Sequence, residues 1–552
     1  MSMKSHSRWL PFLQWPRLTP ALARSELLAG ITVGLVMVPQ AVAYAGLAHM
    51  PLVTGLYACL LPALLAVLFG SSNRISVGPA ALTCVLIGAS LYGLAEPGSP
   101  EWVSLAVWLS FLSGALQLGL GWGGYGWLLN LISAPVLMGF TQAASLLIMA
   151  SQVPALLGVN LSLDTLPSAT EVLNPAAVWG LASLALLLLA RRWRPRWPSI
   201  MLVVALSAAL SAFTGYSQVG AVVGALPAGL PSLYWPDWPG WEVFQKLLVP
   251  AMVIALVSFL ETASSAKIES QRDSKRWDDN LDLFGQGLAK VASGLCGSFA
   301  CSASFSRSAL MLYAGGRSGW SVVASVVFVL VALLLLLPAL QHVPKAVLSA
   351  VVITAVLNLF QPRQFMKLWR VSRQETVTAG LTALVTLLTA PAIYWGVLAG
   401  VLITLAQFLY HRLHPRIIEI GLHPDGSLRD RHLWHLPPLG SHVYALRMDA
   451  ELDFAAANGL EQAIVEHLTL HPDVKHVCLF ALPINRIDAT GVEMFAKLEA
   501  HFKERGIVLH ISGLKLPVER VLRQSGFLTP SPHLRMYRTD AEALAVMAAL
   551  PD

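Results

Sequence analysis

Up to about residue 412 the chain is a succession of apolar runs separated by short loops, and that pattern leaves few ways to fold. A run of about 20 apolar residues matches the hydrocarbon thickness of a bilayer, where only a helix satisfies its own backbone hydrogen bonds. Fourteen segments are predicted, near 27–46, 51–69, 77–93, 103–121, 126–150, 173–190, 198–214, 246–264, 281–296, 304–314, 319–339, 344–360, 373–390 and 392–411. Only 12% of the 552 residues are charged, about half the share of an ordinary soluble domain. The first run continues into the series of spans, so it reads as an uncleaved span rather than a removed signal peptide.

Loop charges fix an orientation. Loops after an even number of segments carry Arg74, then Arg191, Arg192, Arg194 and Arg196, then Lys267, Arg272, Lys275 and Arg276. Arg317 follows, and then Arg363, Lys367, Arg370 and Arg373. Loops after an odd number carry Glu96, Glu101, Asp164, Glu171, Asp237 and Glu242, with Lys345 the main exception. Positive residues collect on the cytoplasmic side, which puts both termini there. The net charge of +6 is thus a topology signal, and nucleic acid is not an expected partner. Cys59, Cys84, Cys296, Cys301 and Cys478 form no CxxC or Cys/His cluster, so neither a zinc site nor a disulfide framework is predicted, and no cofactor is implied.

Two segments look incomplete as spans. The third opens with Gly78–Pro79, and the tenth is short and follows the small-residue run GSFACSAS. Interrupted segments at matching places in two halves point to an inverted-repeat transporter site, here in a seven-plus-seven arrangement. Half-helices ending at membrane depth present unpaired N–H groups and the positive ends of their dipoles, which together form an anion site. Gly78, Pro79, Ala80 and Ala81 would supply one side, and Phe305, Ser306 and Arg307 the other. Close helix packing uses the same small residues. Gln40 and Tyr44, four apart, share one face of the first segment and offer polar edges.

Glu261 and Arg307 lie in or beside apolar runs, where an ionisable side chain costs roughly 3 kcal/mol or more unless it faces a polar cavity. Glu261 reads either as a span-end residue reaching cytoplasmic water or as a proton carrier; the second is favoured, because intramembrane acids mark ion pathways. Arg307 fits three roles: anion ligand, counter-ion to Glu261, or a residue snorkelling to the cytoplasmic side. Lys290, in the ninth segment, reads as a snorkelling or structural charge.

Composition changes after the last segment. The expected organisation is an N-terminal cytoplasmic segment (1–26), a transmembrane transport domain (27–411), a His-, Pro- and Arg-rich connector (412–440) and a small cytoplasmic α/β domain (441–552). In the last, strand patterns at HVYALRM, VKHVCLFAL and IVLHIS alternate with helical ones at ANGLEQAIVEHLTL, TGVEMFAKLEAHFKERG and LPVERVLRQSG.

The stretches VPQAVAYAGLA (38–48), PLVTGLYACLLPALLAVLFGSSNRISVGPAA (51–81), SFLETASSAK (258–267), GSFACSASFSRSAL (297–310) and AGGRSG (314–319) resemble the sulfate permease family of anion transporters. MDAELDFAAANGLE (448–461) and RIDATGVEMF (486–495) resemble a STAS domain. The resemblance implies a polytopic helical membrane protein with fourteen segments in two inverted repeats, split into core and gate domains, moving by an elevator-like mechanism. It implies that Gln40, Tyr44, Ala80, Ala81, Ser306 and Arg307 contact the anion. Glu261 falls where proton-coupled members carry a carboxylate. Lys290 departs from the asparagine common there. In the tail, Ala489 follows Asp488 where soluble STAS regulators carry a phosphorylated serine, and Thr490 is expected to act as a helix N-cap.

The expected function is secondary transport of a small anion into the cytoplasm, most simply proton-coupled sulfate symport across a bacterial inner membrane. Bicarbonate or dicarboxylate transport, with or without sodium coupling, or anion exchange is the alternative, and an anion sensor reporting through the STAS domain is a third reading. An enzyme is not expected, since no Walker A motif, zinc spacing or nucleophile–base pair is visible. The expected partners are the anion, a proton, the bilayer, a second copy of the chain in a homodimer, and a cytosolic protein at the STAS domain.

Overall fold

The computed structural model describes residues 10–159, 174–193, 198–227, 229–357, 359–529 and 531–550. Asp164, Glu171, Arg194 and Arg196 from the loop-charge pattern lie outside them. The chain divides into two compact units, Met1–Thr404 and Leu405–Asp552.

In the first unit each expected apolar segment overlaps a helix, numbered here in chain order. The first four are α1 (Pro20–Leu47), α2 (Leu61–Phe69), α3 (Ala81–Leu91) and α4 (Pro100–Trp122). Then come α5 (Ala134–Leu157), α6 (Pro175–Trp193) and α7 (Ser199–Phe213). The next four are α8 (Trp241–Asp273), α9 (Asp279–Leu295), α10 (Phe305–Tyr313) and α11 (Trp320–Leu335). The last three are α12 (Lys345–Val356), α13 (Arg373–Leu388) and α14 (Tyr394–Leu413). Among the described residues six of these, α1, α4, α5, α6, α8 and α14, are long and apolar enough to cross a bilayer. Side-chain caps set several starts: Thr19 accepts from Leu22 N, Ser99 from Trp102 N and Asp278 from Leu281 N. Pro20 and Pro100 occupy the first helical positions, where a missing N–H costs nothing.

The helices pack as two groups. One contains α1–α4 and α8–α11, joined through α9 on α4 and α2, α11 on α1, and α8 on α4 and α3. The other contains α5–α7 and α12–α14, with α12 on α5 and α6, α13 on α5, and α14 against Thr382 and Thr386 of α13. The same partition therefore occurs twice, seven helices apart. α4 and α9 pack closely along their length, and a Cβ on Gly114 would come within 3.0 Å of the Gly287 carbonyl oxygen. Glycine lets the two backbones touch there.

Ion pairs pin the loop after α2 to the end of α8, and hydrogen bonds pin it to the start of α9. Arg74 bonds Glu269 at 3.2 Å and Asp273 at 2.5 Å. Asp282 accepts from Ser72 N, Ser72 Oγ and Trp277 Nε1. Three pieces of the first group are thereby tied at one end into a single body.

The second unit is an α/β domain. Its strands are β3 (Ile417–Leu422), β4 (Leu428–Asp430), β5 (Val443–Met448), β6 (His476–Phe480), β7 (Val508–Ser512) and β8 (Leu534–Tyr537), in the order β4-β3-β5-β6-β7-β8. β5 to β8 pair in parallel, and β3 is antiparallel to both neighbours. The segment 412–440, expected as a connector, thus supplies two strands of the sheet. Helices α15 (Ala457–Leu470), α16 (Ala489–Arg505) and α17 (Leu516–Gln524) bury Leu460, Ile464, Phe495, Leu498, Val518 and Leu522 in one core with the sheet. On a second core, α18 (Asp540–Ala548) brings Ala543 and Met547 against Ile420, Ala445 and Phe480. One expectation is corrected: the N-cap of α16 is Asp488, whose carboxylate accepts from Gly491 N at 3.0 Å, and Thr490 lies inside the first turn. A carboxylate one step outside the helix reaches the free N–H groups with better charge complementarity than a hydroxyl already inside it.

Candidate anion site

The two incomplete segments are half-helices. α3 has 11 residues and α10 has 9, so at 1.5 Å per residue they rise about 16 and 14 Å, half of a bilayer's hydrocarbon. Each is preceded by a two-residue strand, β1 (Val77–Gly78) and β2 (Ser302–Ala303). The strands cross antiparallel, with Val77 opposite Ala303 and Gly78 opposite Ser302. Ser304 N donates to the Ser76 carbonyl at 3.0 Å, extending the crossing. Both helices therefore start at the crossing and leave it in opposite directions. Among the described residues no side chain caps either start, at Ala80 or at Ser304, so first-turn N–H groups and both positive dipole ends are left facing the crossing.

Arg307, in the first turn of α10, is 1% exposed. Its Nε donates to Ser76 Oγ at 3.2 Å, and Nη1 donates to the Pro79 carbonyl at 3.0 Å and to Gln40 Oε1 at 3.5 Å. Nη2 is buried and has no acceptor among the described residues. A Cβ on Gly78 would come within 3.4 Å of that Nη2 and 3.1 Å of Cys59 Sγ, so the glycine keeps room for the guanidinium. Three bonds aim the group, and a donor of a permanent cation remains free at the crossing. A snorkelling role is inconsistent with that burial.

Glu261, on α8, is half-buried on the other side of the same crossing. Its Oε2 accepts from Ser302 Oγ at 2.6 Å and from Thr83 Oγ1 at 3.2 Å. The carboxylate is thus held by β2 and by the first turn of α3, and it does not extend to the end of its helix. Gln40, Tyr44, Ala80 and Ala81 are all buried; Ser306 is exposed, with Ser304 Oγ 3.3 Å away. A cavity of about 480 Å³ opens beside the crossing, lined by Gln40, Ser306 and Arg307 from the first helix group and by Arg191, Ser199 and Thr354 from the second. That space exceeds what one small oxyanion needs and sits where the two groups meet. Tyr44, Ala80, Ala81 and Glu261 are not among the residues lining it.

Sequence reasoning missed the hydroxyls. Thr83 and Ser302 each hold Glu261, yet in a small-residue run a serine that bonds a carboxylate reads like one that packs a helix. Gln117, alone among apolar neighbours on α4, was a visible signal; it is fully buried and accepts from Lys290 Nζ at 2.9 Å. Lys290 is itself 0% exposed, which removes the snorkelling reading and leaves that of a structural charge: it lies in the second half of α9, against the α4–α9 seam.

A family model described as "Sulfate permease family" matches residues 24–382, and one for the STAS domain matches 440–543. The chain belongs to the sulfate permease family. A protein of Arabidopsis thaliana named "Probable sulfate transporter 4.2" is 29% identical over 94% of this chain and 80% of its own length. A probable sulfate transporter of Mycobacterium tuberculosis is 30% identical over 92% of both chains. Among solved structures, the murine Solute Carrier 26 family member A9 anion transporter in the inward-facing state superposes with a TM-score of 0.88 at 19% identity, covering 100% of this chain and 96% of that one. The sulfate permease chain described here thus shares that architecture: a helical membrane domain followed by a C-terminal STAS domain.

Proposed function

We propose that this permease is a secondary symporter that carries sulfate or a similar oxyanion into the cytoplasm together with a proton on Glu261. The observation that carries the reading is the unpaired Nη2 of buried Arg307, aimed at a crossing where two uncapped helix starts meet. A buried guanidinium with a free donor is costly unless an anion completes it. Names of the relatives in Arabidopsis thaliana and Mycobacterium tuberculosis favour sulfate among the compact anions.

Every residue assigned to the site lies on the first helix group, whereas the far wall of the cavity belongs to the second. Movement of the first group as one body against the second would carry Arg307 and Glu261 together, which supports an elevator-like mechanism. The distribution of basic loops supports cytoplasmic termini. Uptake of labelled sulfate, bicarbonate and fumarate into proteoliposomes, with and without an inward proton gradient, tests the reading in wild type and Glu261→Gln. Sulfate accumulation that follows the gradient and disappears in the variant is expected. Gradient-independent uptake that survives Glu261→Gln would show that this carboxylate carries no proton.

A further inference from the structure

Lys290 has no part in the site so far, yet the ammonium is joined to it through hydrogen-bonded groups. Its Nζ donates to Gln117 Oε1 at 2.9 Å, its one hydrogen bond among the described residues. Gln117 Nε2 donates in turn to the Ala255 carbonyl at 2.7 Å and to Ser258 Oγ at 3.2 Å. Ser302 Oγ bonds both the Ser258 carbonyl, at 3.0 Å, and Glu261 Oε2, at 2.6 Å. All of these groups belong to the first helix group. Lys290 reaches this network through the Gly114–Gly287 seam, where a Cβ on Gly114 would stand 3.0 Å from its own Cβ.

An ammonium carries three donors, and one neutral acceptor does not offset the cost of burying its charge. The charged groups acting on Glu261 are Lys290 from α9 and Arg307 from α10, while Tyr44 of α1 and Cys84 of α3 are the titratable neutral groups beside it. On Lys290 the charged group is Glu261, and the titratable neutral group beside it is the thiol of Cys301. The first helix group therefore brings two cations and one carboxylate to the site, while Arg191 lines the cavity from the second group.

We propose that Lys290 is the second fixed positive charge of the anion site and sets the valence of its substrate, matching a dianion that enters with a proton on Glu261. The inference rests on the transport reading above. Its basis is charge balance, since an uncompensated charge is what a low-dielectric body pays most to carry. When Glu261 is protonated, the two cations are neutralised by one dianion. When Glu261 is ionised, they are neutralised by a monoanion, with no proton taken up. Without Lys290 the protonated site has a single cation, and a dianion leaves it one negative charge in excess. Lys290 acts at a distance and touches no substrate; it is a positioning charge for specificity.

Sulfate and perchlorate are tetrahedral oxyanions of similar size that differ in valence, so they separate charge from shape. Binding of each is measured by calorimetry on the purified full chain at a pH where Glu261 is protonated. Wild type, Lys290→Gln, Lys290→Arg and Gln117→Glu are compared. Gln117→Glu sets a negative charge against the ammonium with little change of shape, and it decides the question alone if Lys290→Gln fails to fold. Sulfate affinity is expected to fall at least about tenfold relative to perchlorate in Lys290→Gln and Gln117→Glu, and to keep its ratio in Lys290→Arg. A sulfate-to-perchlorate ratio unchanged in the first two variants, with both affinities moving together, overturns the valence role and leaves the transport reading intact. Wild type that binds neither anion overturns both.

Discussion

Arg307→Lys keeps the charge of the anion site and removes only its shape. In the structure the guanidinium spends Nε and Nη1 on Ser76, Pro79 and Gln40 and keeps Nη2 free. A lysine has one nitrogen for all of these duties, and it cannot be both anchored and presented. The bond lost to the anion is charge-assisted, worth about 1.5–3 kcal/mol, or roughly 10- to 150-fold in affinity. Sulfate binding by calorimetry, with proteoliposome uptake alongside, reads this directly, and thermal unfolding checks that the fold survives. The expected result is a Kd raised at least about tenfold with a small change in Tm. A variant that binds sulfate within about threefold of wild type would mean that Nη2 is not the ligand and that backbone N–H groups and simple charge suffice.

Other outcomes follow from the same structure. Arg74→Met leaves Glu269 and Asp273 without their cation and should cost about 3 kcal/mol, seen as a lower Tm that Glu269→Gln partly restores. Gly114→Val pushes a branched side chain into the Gly287 carbonyl and the stem of Lys290, and should cost about 1–3 kcal/mol by the same assay. In the STAS domain, burial first and then the neighbouring His476 and Arg535 hold the His510 imidazole down at about 4, while it pairs with Tyr537 and His476. A base whose folded value is depressed keeps its stability above the ordinary histidine value near 6.5 and loses it as pH falls from there towards 4, up to about 3 kcal/mol. Hydrogen exchange of β7 in the full chain, corrected for intrinsic rates, should therefore show less protection at pH 5 than at pH 7, and His510→Gln should flatten the difference.

What could be read from residues alone depended on whether the signal was local. The half-helices were visible because Gly78–Pro79 and GSFACSAS interrupt hydrophobic runs at corresponding places, and an interruption is local. Arg307 and Glu261 stood out for the same reason. Strands β3 and β4 were not anticipated, because their partner β5 lies beyond a stretch of His, Pro and Arg that reads as loop; pairing with β5, which no local pattern encodes, makes IIEIGL a strand. Lys290 was left between a snorkelling and a structural role, since a lysine in a span has an ordinary destination at the membrane surface. Only the three-dimensional seam of α4 and α9 shows that this route is closed. The capping of α16 was misplaced by two residues because Asp488 and Thr490 are both good caps, and the choice depends on where the chain turns.

The crossing of β1 and β2 has a consequence for how such a protein can change over generations. The donors it leaves at Ala80, Ala81, Phe305 and Ser306 belong to the main chain, and no point mutation apart from proline can delete them. On the proposed reading of the site, affinity for negatively charged solutes is written into the path of the polypeptide, while the identity of the solute is written into a few side chains that can be exchanged one at a time. A descendant could acquire a new cargo by altering Gln40, Tyr44 or Ser306 without ever passing through a form that binds no anion.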